Sequence, residues 1–301
     1  MKSIRNKTLD LPAEECGEYL ARCVIAGKEH NGTLPENTVV CGDFFEAVKA
    51  VADASVDLCI ADPPYNLRKD YGGEVFSRRT AEEYAAFTRA WLKEIRRICK
   101  PAASLYVCCD WETGMVLGTV LGEFFTVRNR ITWQREKGRG AAKNWKNSME
   151  DIWFCTVSDE YTFNLDAVKL RRRVKAPYRE NGVPKDWDET ENGNFRNTCP
   201  SNFWDDITVP FWSMEENTAH PTQKPEKLIA KLILASSDEN DLVFDPFAGS
   251  GTTAVTAKKL RRKFIAVEKN EQYCAWCQIR LEKAETDKRI QGFENGVFVK
   301  K

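Results

Sequence analysis

A doubly wound, mostly parallel α/β sheet is the fold this sequence predicts, on three observations. About seven short apolar runs with strand character recur along the chain. Helical patterns with recognisable starts and stops separate them. Two of the runs stop at an acid followed by proline, in Asp62-Pro63-Pro64-Tyr65 and in Asp245-Pro246, and in an open α/β sheet the carboxyl ends of strands are where ligands bind.

The elements follow in order. Residues 1–34 mix charged, small and polar types and read as a weakly informative extension. Strand-like runs are expected at 38–42 and 56–61. The second must end at Asp62, because Pro63 and Pro64 cannot donate to a sheet ladder. Thr80-Ala81-Glu82-Glu83 is a capping box, opening a helix that runs to about Cys99 before Pro101 stops it. Further strands are expected at 104–109, 124–133 and 151–157. Pro225 suits the first turn of a helix carrying Leu228, Ile229, Leu232 and Ile233 at helical spacing. A strand at 242–244, a helix at 252–260, a strand at 264–267 and a helix at 271–285 complete the pattern. Residues 161–219 break it, with turns, charges and scattered aromatics but no sustained periodicity. A long aperiodic segment rich in aromatics reads as an inserted module rather than plain disorder.

Composition narrows the class. With 42% hydrophobic and 30% charged residues and a mean hydropathy of −0.51, the chain is that of a soluble globular protein. No apolar run is long enough to span a membrane, and the start, Met1-Lys2-Ser3-Ile4-Arg5, has no signal-peptide pattern. A cytoplasmic location is expected. Eleven cysteines without a secretion signal argue for free thiols in a reducing compartment. Cys274-Ala275-Trp276-Cys277 has metal-ligand spacing, but there is no second such pair and only two histidines exist; no metal is expected. Lys plus Arg balance Asp plus Glu at 45 each, so net charge does not point to nucleic acid. Basic residues nevertheless cluster at Arg128–Lys146 and at Lys169–Arg179, and local clusters can track phosphates, although solvated surface faces would look the same.

Two motifs carry chemistry. Asp62-Pro63-Pro64-Tyr65 leaves an acid, a rigid turn with free carbonyls and an aromatic ring at a strand end, a set suited to a planar base with an exocyclic amine. A turn with an incidental tyrosine is the plain alternative. Val243-Phe244-Asp245-Pro246-Phe247-Ala248-Gly249-Ser250-Gly251-Thr252-Thr253 is a strand, a tight glycine turn and a helix start. It lacks the lysine of a phosphate-binding P-loop. It matches a dinucleotide fingerprint on paper, with Glu268 as the acid at the next strand end, but too little chain follows for the rest of such a domain. S-adenosylmethionine (SAM) fits better: Asp245 can face its ammonium, the glycine turn can pass under the nucleoside, and Glu268 can accept its ribose hydroxyls.

Taken together the motifs resemble those of the SAM-dependent amino-methyltransferases of DNA. Asp62-Pro63-Pro64-Tyr65 resembles their motif IV, Asp245 to Thr252 their motif I, and His220-Pro221-Thr222-Gln223-Lys224-Pro225 their motif X. The order, catalytic motif first and then a variable region followed by motifs X and I, is similar to that of the β group, whose sheet is circularly permuted. The resemblance covers about residues 39–281. It implies a seven-stranded Rossmann-like methyltransferase sheet with an N-terminal extension (1–34), a catalytic half (35–160), a target-recognition region (161–219) and a SAM-binding half (220–301).

Site residues carry over position by position. Asp62, Pro63, Pro64 and Tyr65 are implied as catalytic. SAM would be held by Asp43, Phe44, Thr222, Lys224, Asp245, Phe247, Gly249, Ser250, Gly251, Thr252 and Glu268, with no metal. Arg68, Lys69, Arg135, Lys137, Arg139, Lys143, Arg171, Arg172 and Arg173 are the candidates for contact with double-stranded DNA. Asn66 to Gly73, with two glycines and two basic residues, reads as a mobile loop over the DNA or as a plain surface loop. Within the family the Asp-Pro-Pro-Tyr form is associated with adenine N6. Cytosine N4 or RNA chemistry, a nicotinamide-dependent oxidoreductase and a catalytically silent DNA-binding protein are the rival readings. A homodimer and a cognate restriction endonuclease stay open as partners; the recognition sequence is not legible.

Overall fold

The computed structural model describes residues 5–28, 33–70, 75–135, 142–175 and 178–299. The seven expected runs lie next to one another in one nine-stranded sheet. Its order, by strand, is Val24–Ile25, Thr38–Cys41, Lys263–Glu268, Leu242–Asp245, Val56–Ala61, Cys99–Cys109, Met149–Thr156, Thr126–Gln134 and Phe203–Trp204. Two short edge strands, one at each side, extend the seven to nine. Met149–Thr156 pairs antiparallel with both of its neighbours, while every other pairing in the sheet is parallel.

Both faces of the sheet are covered, which is why its strands read as continuous apolar runs. Val40, Cys59, Ala61, Leu105 and Phe244 pack on one side with Tyr84, Trp91, Leu92 and Ile95 of the helix Ala81–Ile98. Neighbours in sequence turn the other way: Val39, Leu58, Ile60, Tyr106 and Val243 pack with Leu228, Leu232, Val255 and Cys277, from the helices Glu226–Ser236, Thr252–Lys259 and Glu271–Thr286. Cys108 and Cys109 likewise fall on opposite faces, and all eleven cysteines are free. The capping box forms, with Glu83 N donating to Thr80 Oγ1 at 3.2 Å and Thr80 N to Glu83 Oε2 at 2.9 Å.

The chain leaves the Val56–Ala61 strand towards one sheet edge, through the helix Ala81–Ile98 to Cys99–Cys109. It leaves the adjacent Leu242–Asp245 strand towards the other edge, through Thr252–Lys259 to Lys263–Glu268. Connections that diverge from two neighbouring parallel strands open a crevice at their carboxyl ends. Asp62 and Asp245 stand on its two sides.

Outside the main sheet, the aperiodic segment is not irregular. Leu170–Arg173, Asp188–Thr190 and Gly193–Thr198 form a sheet with two strands from the end of the chain, Phe293–Glu294 and Val297–Val299. Val297–Val299 pairs in parallel with Leu170–Arg173, so this sheet crosses the boundary expected at residue 219. The N-terminal extension is also built in. Its Val24–Ile25 strand pairs with Thr38–Cys41, and the Leu11 carbonyl accepts from Gln272 Nε2 at 2.7 Å and Trp276 Nε1 at 3.0 Å. Among the described residues no helix is long and apolar enough to cross a membrane.

Candidate functional site

One cavity of about 460 Å³ occupies the crevice, lined by Asp62, Pro63, Pro64 and Tyr65 from one side and by Asp245, Phe247, Gly249, Ser250, Thr252 and Glu268 from the other. Asp43, Phe44, Thr222 and Lys224 line it as well. The two motifs, far apart in sequence, are thus walls of one space.

On the glycine-turn wall, the loop is fixed by hydrogen bonds before any ligand arrives. Asp245 Oδ1 accepts from Phe247 N at 3.0 Å. Glu268 uses Oε2 for Gly249 N at 2.7 Å and Oε1 for Asn270 N at 2.8 Å. A carboxylate offers about four lone-pair sites, so Glu268 retains acceptor capacity for hydroxyls. Burial pushes the Asp245 carboxyl up to about 7 and the Glu268 carboxyl up to about 7. Gly249 has φ +52°, and a Cβ there would meet His220 Nε2 at 2.9 Å, so the turn lies directly against the half-buried His220 imidazole, whose pKa desolvation lowers to about 4. Phe44 is mainly a core ring, packed on Phe244 and Phe247; its neighbour Phe45 also reaches the cavity. Asp43 caps the helix that follows it, accepting from Phe45 N at 2.8 Å.

Gly251 does not line the cavity. Its Cβ position is filled by Cys277 of the Glu271–Thr286 helix, and its role is to let that helix approach. Arg280 of the same helix is 5% exposed and props the turn, donating to the Ser250 carbonyl at 2.8 Å and to Thr252 Oγ1 at 3.0 Å, with Glu226 as its counter-charge at 3.1 Å.

The opposite wall is built around Asp62, at the end of a strand fixed on both sides by its neighbours. The Pro64 carbonyl accepts from Tyr84 Oη at 3.0 Å, which ties the proline turn to the core. Tyr65 Oη donates to Asp62 Oδ1 at 2.9 Å and lies 3.3 Å from Glu150 Oε2. Lys224 Nζ sits 2.5 Å from Asp62 Oδ2 and 3.4 Å from Glu150 Oε2. Its ammonium is turned to these two acids, a pairing the motif X resemblance does not imply. Burial alone would lower the Lys224 pKa, but Asp62 and Glu150 outweigh it and hold the ammonium above its ordinary value. Arg135 completes the group as the ion-pair partner of Glu150 Oε1.

The basic candidates separate. Arg135 and Lys69 line the cavity, so Arg135 is an internal partner of Glu150 rather than an outward charge. Arg68 and Lys143 are exposed and outside it, and Arg171, Arg172 and Arg173 sit on the second sheet. Lys137 and Arg139 lie outside the described residues, as do Gly72 and Gly73 of the loop expected at 66–73. What is described of that loop is a short antiparallel pair, Lys69–Asp70 with Val75–Phe76. Glu150 and Arg280 were absent from the sequence-based candidates. Glu150 had one signal: Met149-Glu150-Asp151 sets two acids at the start of an apolar strand, and a buried acid requires a partner.

Comparison with known proteins bears on the family and the fold. The family model described as DNA methylase (N6_N4_Mtase) matches residues 56–279. The type II methyltransferase M.HpaI of Haemophilus parainfluenzae is 33% identical over 265 residues, covering 86% of this chain and 77% of its own. The DNA adenine methyltransferase YhdJ of Escherichia coli K12 is 34% identical over 254 residues, covering 82% and 83%. Among solved structures, the M1.HpyAVI–SAM complex superposes with a TM-score of 0.52 at 21% identity, covering 81% of this chain and 98% of that one; at that identity it speaks for the fold.

Proposed function

The chain belongs to the N6/N4 DNA methylase family, and from that membership we propose that it transfers a methyl group from SAM to adenine N6 in double-stranded DNA. The observation that carries this is the shared cavity: the Asp62–Tyr65 turn and the Asp245–Gly251 turn end adjacent parallel strands and face the same space.

The residues present fit the methyl donor. Buried Asp245 and half-buried Glu268 are carboxylates at the glycine turn, suited to an ammonium and to ribose hydroxyls, and Phe45 and Phe247 offer aromatic faces to a nucleoside. Bound there, SAM supplies a sulfonium methyl whose C–S bond breaks, its electron pair staying on sulfur, as the lone pair of N6 forms the new N–C bond. The protein's part is to bring N6 to that methyl. The target adenine is extruded from the duplex, at an unstacking cost of a few kcal/mol, and stacks on Tyr65. Asp62 and the Pro63 carbonyl accept the two N6 hydrogens, turning the nitrogen lone pair out of ring conjugation, and positioning accounts for much of the rate. The surplus proton leaves through Asp62 or to water. Arg68, Lys69, Lys143, Arg171, Arg172 and Arg173 serve the phosphates in the same proposal. The enzyme works in the cytoplasm of a bacterial cell or phage-infected host. A homodimer and a cognate endonuclease are its proposed partners, tested by sedimentation and by inspection of neighbouring genes.

Sequencing genomic DNA from an expressing host for modified bases tests the function: N6-methyladenine at one short sequence is expected, and an unmodified genome contradicts it. Two narrower outcomes are expected. Tyr65→Ala lowers turnover more than Tyr65→Phe, since stacking is worth roughly 1–3 kcal/mol per base and only alanine removes it. Equal rates for the two variants would argue against stacking. SAM affinity, for its part, rises with pH between 6 and 8. Asp245 and Glu268 are pushed up to about 7 by burial, and both must be ionised to serve the donor. Below that value binding has to expel a proton, so affinity falls by roughly tenfold per group from pH 8 to pH 6. Calorimetry in buffers of different ionisation enthalpy reads the proton release; a flat affinity contradicts it.

A further inference from the structure

We propose that Glu150 is a positioning residue that takes Lys224 and Tyr65 over from Asp62 when the target amine enters the cavity. The proposal rests on the methyl-transfer function above. Both oxygens of Asp62 are already engaged: Oδ2 by the Lys224 ammonium at 2.5 Å and Oδ1 by the Tyr65 hydroxyl at 2.9 Å. A neutral exocyclic amine competes poorly with an ammonium for a carboxylate, because charge-assisted hydrogen bonds are roughly twice as strong as neutral ones. Asp62 must therefore be released before it can align N6.

Lys224 has little access to water, its side chain being 8% exposed. The second carboxylate within its reach is Glu150, whose Oε2 lies 3.4 Å from Lys224 Nζ and 3.3 Å from Tyr65 Oη. One oxygen thus already borders both of the groups that occupy Asp62, and a shift of about an ångström completes the exchange at hydrogen-bond distances. Glu150 is suited to wait for them. Its side chain is 6% exposed, and Arg135 holds its other oxygen. Two acids and two bases keep the group neutral before and after the exchange, so a neutral base can enter without leaving a buried charge unpaired.

Steady-state methylation of unmethylated genomic DNA with labelled SAM tests this in the full-length chain. Glu150→Gln is expected to lower kcat by roughly 10- to 100-fold, the worth of a hydrogen bond to a charged group, with the KM for DNA and the Kd for SAM within about threefold of wild type. Glu150→Asp, which keeps the charge, is expected to recover part of the loss. In the Glu150→Gln background, Tyr65→Phe should add little, because the two act on one exchange. A kcat within about twofold of wild type for Glu150→Gln overturns the proposal. So does a parallel loss of SAM binding and melting temperature in both Glu150 variants, which marks a packing role. A wild-type chain that binds SAM and methylates no duplex overturns the enzyme function and the exchange with it.

Discussion

Replacing Asp62 by alanine is expected to lower methyl transfer to duplex DNA by about 1000-fold, near the upper end of what removal of one preorganised transition-state partner costs, with SAM binding within about threefold of wild type. The two effects separate because Asp62 ends a strand on the far wall from Asp245 and Glu268. The fold should tolerate the change. Lys224 loses its 2.5 Å partner but keeps Glu150 at 3.4 Å, so no buried charge is stranded. Asp62→Asn should be nearly as slow, since an amide retains one acceptor but cannot match a carboxylate. Rapid single-turnover transfer by Asp62→Ala would remove this acid from the chemistry.

The second large effect is expected at Gly251, through packing rather than chemistry. A Cβ built there lies 2.1 Å from Cys277 Sγ and 2.7 Å from Cys277 Cβ, with backbone Cα at 3.2 Å, and φ is +80°. The left-handed backbone costs alanine and the overlap adds to it, for a total of roughly 2–5 kcal/mol. In a chain of 301 residues that lowers the melting temperature by about 3–8 °C. SAM affinity should fall too, because the Glu271–Thr286 helix carries Arg280, which holds the Ser250 carbonyl and the Thr252 hydroxyl in place. Adding Cys277→Ala to Gly251→Ala removes the nearest atom and should restore part of the stability. A Gly251→Ala protein that melts with wild type would mean the helix can step back at no cost.

Much of the sheet could be read from the chain because its strands are buried on both faces and its helices carry local start signals. The Thr80 capping box and the apolar spacing of Leu228, Ile229, Leu232 and Ile233 are local facts that the fold preserves. The helix Trp111–Leu121 was not legible. Mostly apolar and interrupted by Gly114 and Gly118, it has no periodic stripe to announce it, and it forms because Asp110 caps it and Leu117, Val120 and Leu121 find a core. The second sheet was hidden for a different reason. Its strands are short, and one of its pairings joins residues 170–171 to 298–299, a partnership no local pattern records. The same division holds at the site. Asp62, Tyr65, Asp245 and Glu268 could be singled out because each follows or ends a recognisable strand. Glu150 and Arg280 acquire partners only through tertiary packing, Glu150 by pairing across strands with Trp133 and Arg280 by reaching from a late helix back to the glycine turn.

The most direct test of the central claim is nucleoside analysis of duplex DNA after incubation with the purified chain and methyl-labelled SAM. The account predicts label in N6-methyladenine, absent when Asp62→Ala replaces the wild-type chain. Label in N4-methylcytosine would contradict the base assignment, and no label in any nucleoside would contradict the methyl transfer itself.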